Sequence, residues 1–168
     1  NEDLIVDTLA ANKVKIMLVL DVWHTENRTV YYKSDEDIAL YLNWVRFMVD
    51  HFKGRIEYYE ILNEPDLSFE MPSGMPVDSY VKLVKATVPV IREEDPAAKI
   101  VVGAVPYTLL IGCREWMWGL LNSDVLPLVD GISWHGMYGT TPSDDPRGSA
   151  GRRPAASTKK PRSDRTGA

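Results

Sequence analysis

The chain has 168 residues, 45% of them apolar, which is enough to bury the core of one ordinary domain. Its net charge of −5 is uneven, because residues 139–168 hold seven Lys/Arg against three Asp/Glu, which leaves residues 1–138 strongly acidic. An acidic body argues against a nucleic-acid partner, and the basic segment lacks aromatic side chains to stack on bases. No apolar run approaches the ~20 residues of a membrane-spanning helix, so no membrane partner is expected.

Helical and strand-like patterns alternate along residues 1–138. Apolar residues recur at helical spacing in some segments, and short runs rich in β-branched residues separate them. The first such run, residues 14–20, is typical of a strand buried on both faces. Ser34 or Asp35 is expected to cap the helix that follows, and Gly54 to stop it. The patterns predict helices over 2–12, 36–52, 78–94 and 113–122, and strands over 14–20, 56–62, 99–105 and 130–135.

The third helix has two local signals. Asp78 is the expected N-cap, and Pro89 within the helix predicts a kink or a break, since proline lacks the amide hydrogen that the helix needs. The regular alternation of strands and helices indicates parallel strands joined by right-handed crossovers. We therefore predict an α/β fold with about four βα units.

Residues 139–168 differ from the rest of the chain. They contain no Leu, Ile, Val, Phe, Met, Trp, Tyr or Cys, and Gly, Pro, Ser, Thr, Ala and charged residues fill every position. A segment of this composition has nothing with which to form a core. We predict a folded unit over residues 1–138 and a disordered basic tail rich in Pro, Gly and Ser over residues 139–168.

Polar and aromatic side chains stand where the predicted strands end. In parallel α/β folds, ligands bind at the carboxyl ends of the strands. Each residue alone has an ordinary explanation: His24 as a loop residue, Trp23 and Trp134 as core residues. Their recurrence at strand after strand is what indicates a site. The residues concerned are Trp23 and His24, Asn63 and Glu64, Trp134 and His135, and Tyr138 just beyond.

Metal and cofactor sites have little support. The chain has three histidines, at positions 24, 51 and 135, without the paired spacing that metal sites use. No glycine-rich phosphate loop follows any predicted strand. We therefore expect no cofactor and no metal. The single cysteine, Cys113, excludes an internal disulfide and leaves the compartment open, secreted or cytoplasmic.

Three motifs, in the contexts described above, resemble one clan of enzymes. "YEILNEPDL" (59–67) is similar to the fourth-strand signature of the retaining glycoside hydrolases with (β/α)8 barrels, which include cellulases, xylosidases and arabinofuranosidases. "DGISWHGMYG" (130–139) resembles the clan's sixth strand and "LDVWH" (20–24) its third. The resemblance implies a partial TIM barrel, strands three to six, over residues 1–138.

The resemblance also implies roles. Glu64 would be the general acid/base and Asn63 the partner of the sugar 2-hydroxyl. His135 and Tyr138 would contact the substrate, with Trp134, Trp23 and His24 as further contacts. The substrate would be a β-linked plant-type polysaccharide or oligosaccharide.

The clan's nucleophile, a glutamate ending strand seven, has no counterpart in this sequence. Asp21, Glu26, Glu60 and Asp66 are the candidate substitutes, and none is expected to replace it. Glu60, four residues before Glu64 on a strand, is expected about 13 Å lower, in the barrel floor. The chain begins with Asn1 and shows no signal peptide, so we expect a piece of a longer chain or a processed one.

Two other functions stay open at this stage. The first is a catalytically inactive half-barrel that binds sugar or only folds and oligomerises. The second is an unrelated parallel α/β hydrolase that uses a metal. A four-stranded open sheet would leave two unpaired edges, so we predict a homodimer or a larger oligomer formed through them, in which two copies reach the eight strands of a closed barrel.

Overall fold

The computed structural model of the chain describes residues 2–21, 32, 34–66, 74–105 and 111–136. Four parallel strands form one sheet in the order β1-β2-β3-β4, and helices alternate with them. The predicted α/β fold with four βα units is confirmed. The elements are α1 (Glu2–Ala11), β1 (Met17–Leu20), α2 (Asp35–Phe52), β2 (Tyr58–Ile61), α3 (Val77–Glu94), β3 (Lys99–Val105), α4 (Ile111–Leu121), a short 3-10 helix (Leu126–Leu128) and β4 (Gly131–Trp134).

Strand β1 corrects one expectation. It is shorter than the predicted 14–20, and it is not buried on both faces, since Met17 is 50% exposed and Leu18 and Val19 are only partly buried. The reason is its place in the sheet: among the described strands, β1 pairs only with β2 and forms an edge. The predicted tail, residues 139–168, lies outside the described residues.

The start of α2 follows its sequence signal. Ser34 is the N-cap: its hydroxyl accepts a hydrogen bond from the Asp37 amide at 3.1 Å, and the Asp37 carboxylate accepts one from the Ser34 amide at 3.2 Å. This reciprocal pair satisfies two amides that the helix leaves unbonded. Asp35, the alternative cap, lies in the first turn instead. Gly54, with φ +74°, follows the C-cap and ends the helix as predicted.

Helix α3 departs from its prediction at two points. It begins at Val77 after Pro76, so Asp78 is a first-turn residue and not the N-cap. It also continues through Pro89 to Glu94, so the predicted break is absent. Pro89 is exposed, whereas Val88 and Val90 are buried against the core, and this packing holds the turn despite the missing amide hydrogen. Within the described residues, no helix is long and apolar enough to cross a membrane.

The core lies between the sheet and the helices. Alternate strand residues point to opposite faces of a sheet, so one face of each strand supplies this core. The strand residues with no exposed surface include Leu20, Tyr59, Ile61, Ile100 and Val102. The alternate positions, on the opposite face, include Glu60, Val101, Gly103 and Ser133. That opposite face is the concave interior of the partial barrel.

Two buried tyrosines tie the helices to the carboxyl ends of the strands. The Tyr41 hydroxyl on α2 donates to the Leu20 carbonyl at 2.9 Å, and the Tyr80 hydroxyl on α3 donates to the Ile61 carbonyl at 2.7 Å. Leu20 and Ile61 are the last residues of β1 and β2. Burial raises the pKa of both phenols well above the ordinary value, so both stay protonated and able to donate at neutral pH.

Candidate functional site

Glu64 and His135 meet at the carboxyl edge of the sheet. The Oε1 atom of Glu64 lies 2.9 Å from Nδ1 of His135. Glu64 stands three residues beyond the end of β2, and His135 directly follows β4, where its amide donates to the Val105 carbonyl at 2.9 Å. Both side chains are mostly buried, with 20% and 30% of their surface exposed. The structure thus joins the predicted acid/base to a predicted substrate contact across an intervening strand.

The residues next to Glu64 and His135 in the chain are exposed to solvent. Asn63, the predicted 2-hydroxyl partner, is exposed beside Glu64. Trp134 is 61% exposed beside His135, so the alternative that it is a core residue is wrong. An exposed amide and an exposed aromatic ring are groups that can offer hydrogen bonds and stacking surface to a polar ligand. The other predicted contacts, Trp23, His24 and Tyr138, lie outside the described residues.

The backbone is strained at this edge. Leu62, Glu64 and Ala104 have φ values of 59°, 46° and 49°, in the left-handed region that non-glycine residues rarely adopt. Each such residue costs on the order of 1–3 kcal/mol, and such residues cluster at functional sites. Leu62 and Glu64 flank Asn63, so the strain falls within the motif that carries the candidate acid/base.

Strands β2 and β3 separate where the site begins. Their pairing ends at Glu60 and Val101, and beyond it the Tyr80 hydroxyl accepts a hydrogen bond from the Gly103 amide at 3.2 Å while donating to the Ile61 carbonyl. One phenol therefore replaces a direct link between the two strands. This separation gives the β2 end room to reach β4.

Sequence reasoning missed a second link between β2 and β4. The Ser133 hydroxyl donates to the Glu60 carboxylate, and Glu60 is 3% exposed. The sequence suggests Glu60 only as a substitute nucleophile and predicts no role for Ser133. One signal was present: Ser133 precedes His135 by two residues, and such residues share a face of a strand.

The arrangement is suited to proton transfer at a polar rim. With Nδ1 protonated, His135 donates to Oε1 of Glu64 and leaves Oε2 for a ligand. Within the described part of the chain, no group of three or more His, Cys, Asp or Glu side chains is placed to hold a metal ion.

Comparison with known proteins gives a match in structure alone. No protein-family model matches the sequence, and no curated protein matches it. A family 39 glycoside hydrolase from the gut symbiont Bacteroides cellulosilyticus WH2 is 18% identical, with a TM-score of 0.60 over 78% of this chain and 27% of that one. A psychrophilic family 10 endo-β-1,4-xylanase is 19% identical, with a TM-score of 0.57 over 80% and 47%.

A third solved structure agrees with these two. A monomeric β-xylosidase from Caulobacter crescentus CB15 is 21% identical, with a TM-score of 0.55 over 77% of this chain and 28% of that one. The chain therefore spans between about a quarter and a half of the length of these relatives. The resemblance to the glycoside hydrolase barrels is confirmed at the level of fold: this chain has the fold of four consecutive βα units of a TIM barrel.

Proposed function

We propose that this chain carries the acid/base half of a retaining β-glycosidase site, with Glu64 as the general acid/base. The observation that supports this most is the 2.9 Å contact of Glu64 with His135 at the carboxyl edge of a glycoside-hydrolase fold. In such folds, that edge is where ligands bind and chemistry occurs. Asn63, exposed beside Glu64, is proposed to hold the sugar 2-hydroxyl.

The chemistry needs a proton at the leaving oxygen. Glu64 gives its proton to the glycosidic oxygen as the bond to the anomeric carbon breaks, and in the second half-reaction the carboxylate takes a proton from the attacking water. His135 holds Oε1, so Oε2 is the oxygen proposed to carry the proton. Trp134 and the predicted contacts Trp23, His24 and Tyr138 are proposed to bind the sugar rings.

The proposed substrate is a β-linked plant-type oligosaccharide or polysaccharide, with β-xylosides as the first to test. The similar structures include a β-xylosidase and an endo-β-1,4-xylanase, which supports this choice. A retaining mechanism also needs a second carboxylate about 5–5.5 Å from the first. We propose that it comes from outside the four described βα units, because buried Glu60 is bonded to Ser133, and Asp21 directly follows β1, two strands away from β3. Glu26 lies outside the described residues.

The test is turnover of aryl β-xylosides with good and poor leaving groups by the wild-type chain and Glu64→Gln. A dinitrophenolate departs without protonation, whereas a phenolate needs an acid. We expect Glu64→Gln to lose roughly 10²–10⁴-fold in rate on phenyl β-xyloside and far less on the dinitrophenyl compound. Xylan, carboxymethyl-cellulose and aryl β-glucosides define the sugar.

Glu57→Gln is the matched control. Glu57 is another carboxylate next to β2, but it lies at the opposite end, paired with Lys15 at 2.9 Å. It should leave both rates unchanged. Equal losses for Glu64→Gln on both leaving groups would contradict the acid role. Activity that a chelator removes and a metal restores would favour the metal-dependent alternative.

A second candidate is a half-barrel that binds sugar without turnover. The hydrogen bond from Ser133 to Glu60 favours it, because it occupies the carboxylate of β2, which is then not free to attack the sugar. Titration calorimetry with xylo-oligosaccharides distinguishes the two: binding that Trp134→Ala weakens, without product formation, supports this second candidate.

The open sheet edges support self-association. β1 and β4 each pair with one neighbour among the described strands, and Met17 and Trp134 on them are exposed. Two copies joined edge to edge would supply the eight strands of a barrel. Light scattering tests the proposed homodimer, and a 19.0 kDa monomer that unfolds cooperatively would overturn it.

A further inference from the structure

Glu60 is a buried carboxylate in the concave face of the sheet. It is 3% exposed, and its hydrogen-bond donor is the hydroxyl of Ser133. A buried carboxylate is costly unless its bonding is satisfied, so a residue of this kind in a strand needs a reason. Its partner is not on the neighbouring strand β3, with which β2 pairs, but on β4, one strand further.

Gly103 on β3 makes this crossing geometrically possible. A Cβ atom at position 103 would lie 2.4 Å from the Ser133 carbonyl oxygen, and φ of Gly103 is +120°. The Ser133 hydroxyl also accepts a hydrogen bond from the Ala104 amide at 2.9 Å. The pairing of β3 with β4 shifts register between Val102 and Val105, at this same point. The regular pairing of β3 is therefore interrupted at the position where side chains of β2 and β4 contact each other across it.

Two bridges therefore join β2 to β4 across β3. The lower is Glu60 with Ser133, and the upper is Glu64 with His135. Ser133 lies on β4 and His135 directly follows it, two residues further along the chain. Glu60 lies on β2, and Glu64 is four residues further along, beyond the end of that strand.

We propose that Glu60 and Ser133 are positioning residues, whose bridge over Gly103 holds the His135 imidazole against Glu64. This inference rests on the proposed function, since it explains how the acid/base pair is oriented. Neither residue touches the substrate. The bridge acts through the direction of β4: when the Ser133 hydroxyl is removed, β4 loses its bonds to Glu60 and to the Ala104 amide, and His135 loses its alignment.

The test is the nuclear magnetic resonance signal of the His135 imidazole, which reports the upper bridge without any need for turnover. A hydrogen-bonded Nδ1–H exchanges slowly with water and has a distinct nitrogen shift. We expect Ser133→Ala to speed this exchange roughly fivefold or more and to shift the imidazole toward the Nε2–H tautomer. Ser133→Thr, which keeps the hydroxyl, should restore the signal.

His51 is the control within the molecule, because it pairs with Asp3 at 2.8 Å at the opposite end of the sheet and should not change. Glu60→Gln is the milder second variant in case Ser133→Ala folds poorly, since it keeps an acceptor oxygen and removes the charge. It should give a smaller change in the same direction. If both variants lower stability and leave the His135 signal as in the wild type, the bridge is only structural and the proposal is overturned.

Turnover separates this proposal from the proposed function. If the His135 signal changes as expected and the wild-type chain shows no turnover, the positioning role stands and the half-barrel that binds sugar without turnover is favoured over the glycosidase. Where turnover is present, Ser133→Ala should lower kcat by roughly tenfold to a hundredfold with KM little changed, as misplacing a catalytic group does. A rise in KM alone would contradict the positioning role.

Discussion

The two ends of the sheet are built differently. At the amino edge, the left-handed residues Lys13 and Gly54 each follow a helix, where such a residue is the ordinary way to end it. At the carboxyl edge, Leu62, Glu64 and Ala104 are left-handed in or just beyond strands. Helix termination explains the first set and not the second. The strained backbone therefore falls where the candidate site lies.

The charges follow the same division. A cleft of about 460 Å³ opens at the amino edge, yet charged groups that line it are paired, Lys15 with Glu57 and Arg55 with Asp7. The carboxyl edge instead joins one carboxylate to one imidazole beside exposed Asn63 and Trp134. Paired surface charges of this kind have little left to offer a ligand.

The largest expected effect comes from adding a methyl group at each edge. Gly103→Ala places a Cβ against the Ser133 carbonyl and forces alanine to φ +120°, so we expect a loss of at least about 3 kcal/mol in the free energy of unfolding. Gly54→Ala has no atom within 4 Å of its new Cβ and should cost about 1–2 kcal/mol, from left-handed strain alone. Urea unfolding followed by circular dichroism measures both. Equal losses of stability for the two variants would contradict the difference that we infer between the two edges of the sheet.

Removing a buried hydroxyl is expected to have the next largest effect. Tyr80→Phe leaves the Ile61 carbonyl and the Gly103 amide without their partner, at a cost of about 1–3 kcal/mol. Tyr59→Phe is the control, because the Tyr59 hydroxyl is buried without a hydrogen-bond partner among the described residues. It should leave stability unchanged or raise it. A destabilised Tyr59→Phe would show that the hydroxyl has a partner outside them.

Alkaline pH should weaken the fold through the same tyrosines. Burial, and secondarily the charge of Asp95, raises the pKa of Tyr59, so the folded state keeps a proton that the unfolded state releases above about pH 10. The contribution of the retained proton to the free energy of unfolding is present below that pH. It is lost as pH rises, by about 1.4 kcal/mol per such tyrosine at pH 11. Unfolding measured from pH 7 to 11 should show the decline, and Tyr59→Phe should reduce its slope.

The smallest effect is expected at the amino edge. Lys15 pairs with Glu57 at 2.9 Å, but both side chains are well exposed, and water and salt screen such pairs. Lys15→Ala should therefore not shift the urea midpoint measurably, at low or high salt. A clear loss that salt abolishes would show that the surface pairs contribute more to this end than their exposure suggests.

Much of the architecture follows from local patterns. Apolar periodicity placed all eight predicted elements, and Ser34 and Gly54 marked the bounds of α2 because caps and stops act through neighbouring backbone groups. Local rules failed where packing took over. Pro89 did not break α3, and β1 was not buried on both faces, since burial depends on which elements lie alongside.

The candidate site divides in the same way. The sequence predicted Glu64 and His135 as site residues. A polar residue that directly follows a strand lies at the carboxyl edge of a parallel sheet, whatever the details of packing. Their 2.9 Å contact, and the Glu60–Ser133 bridge beneath it, came only with the tertiary structure. Both join residues more than 70 positions apart, across a strand whose bend at Gly103 no local pattern predicts. Such contacts arise only when three strands are set side by side in register.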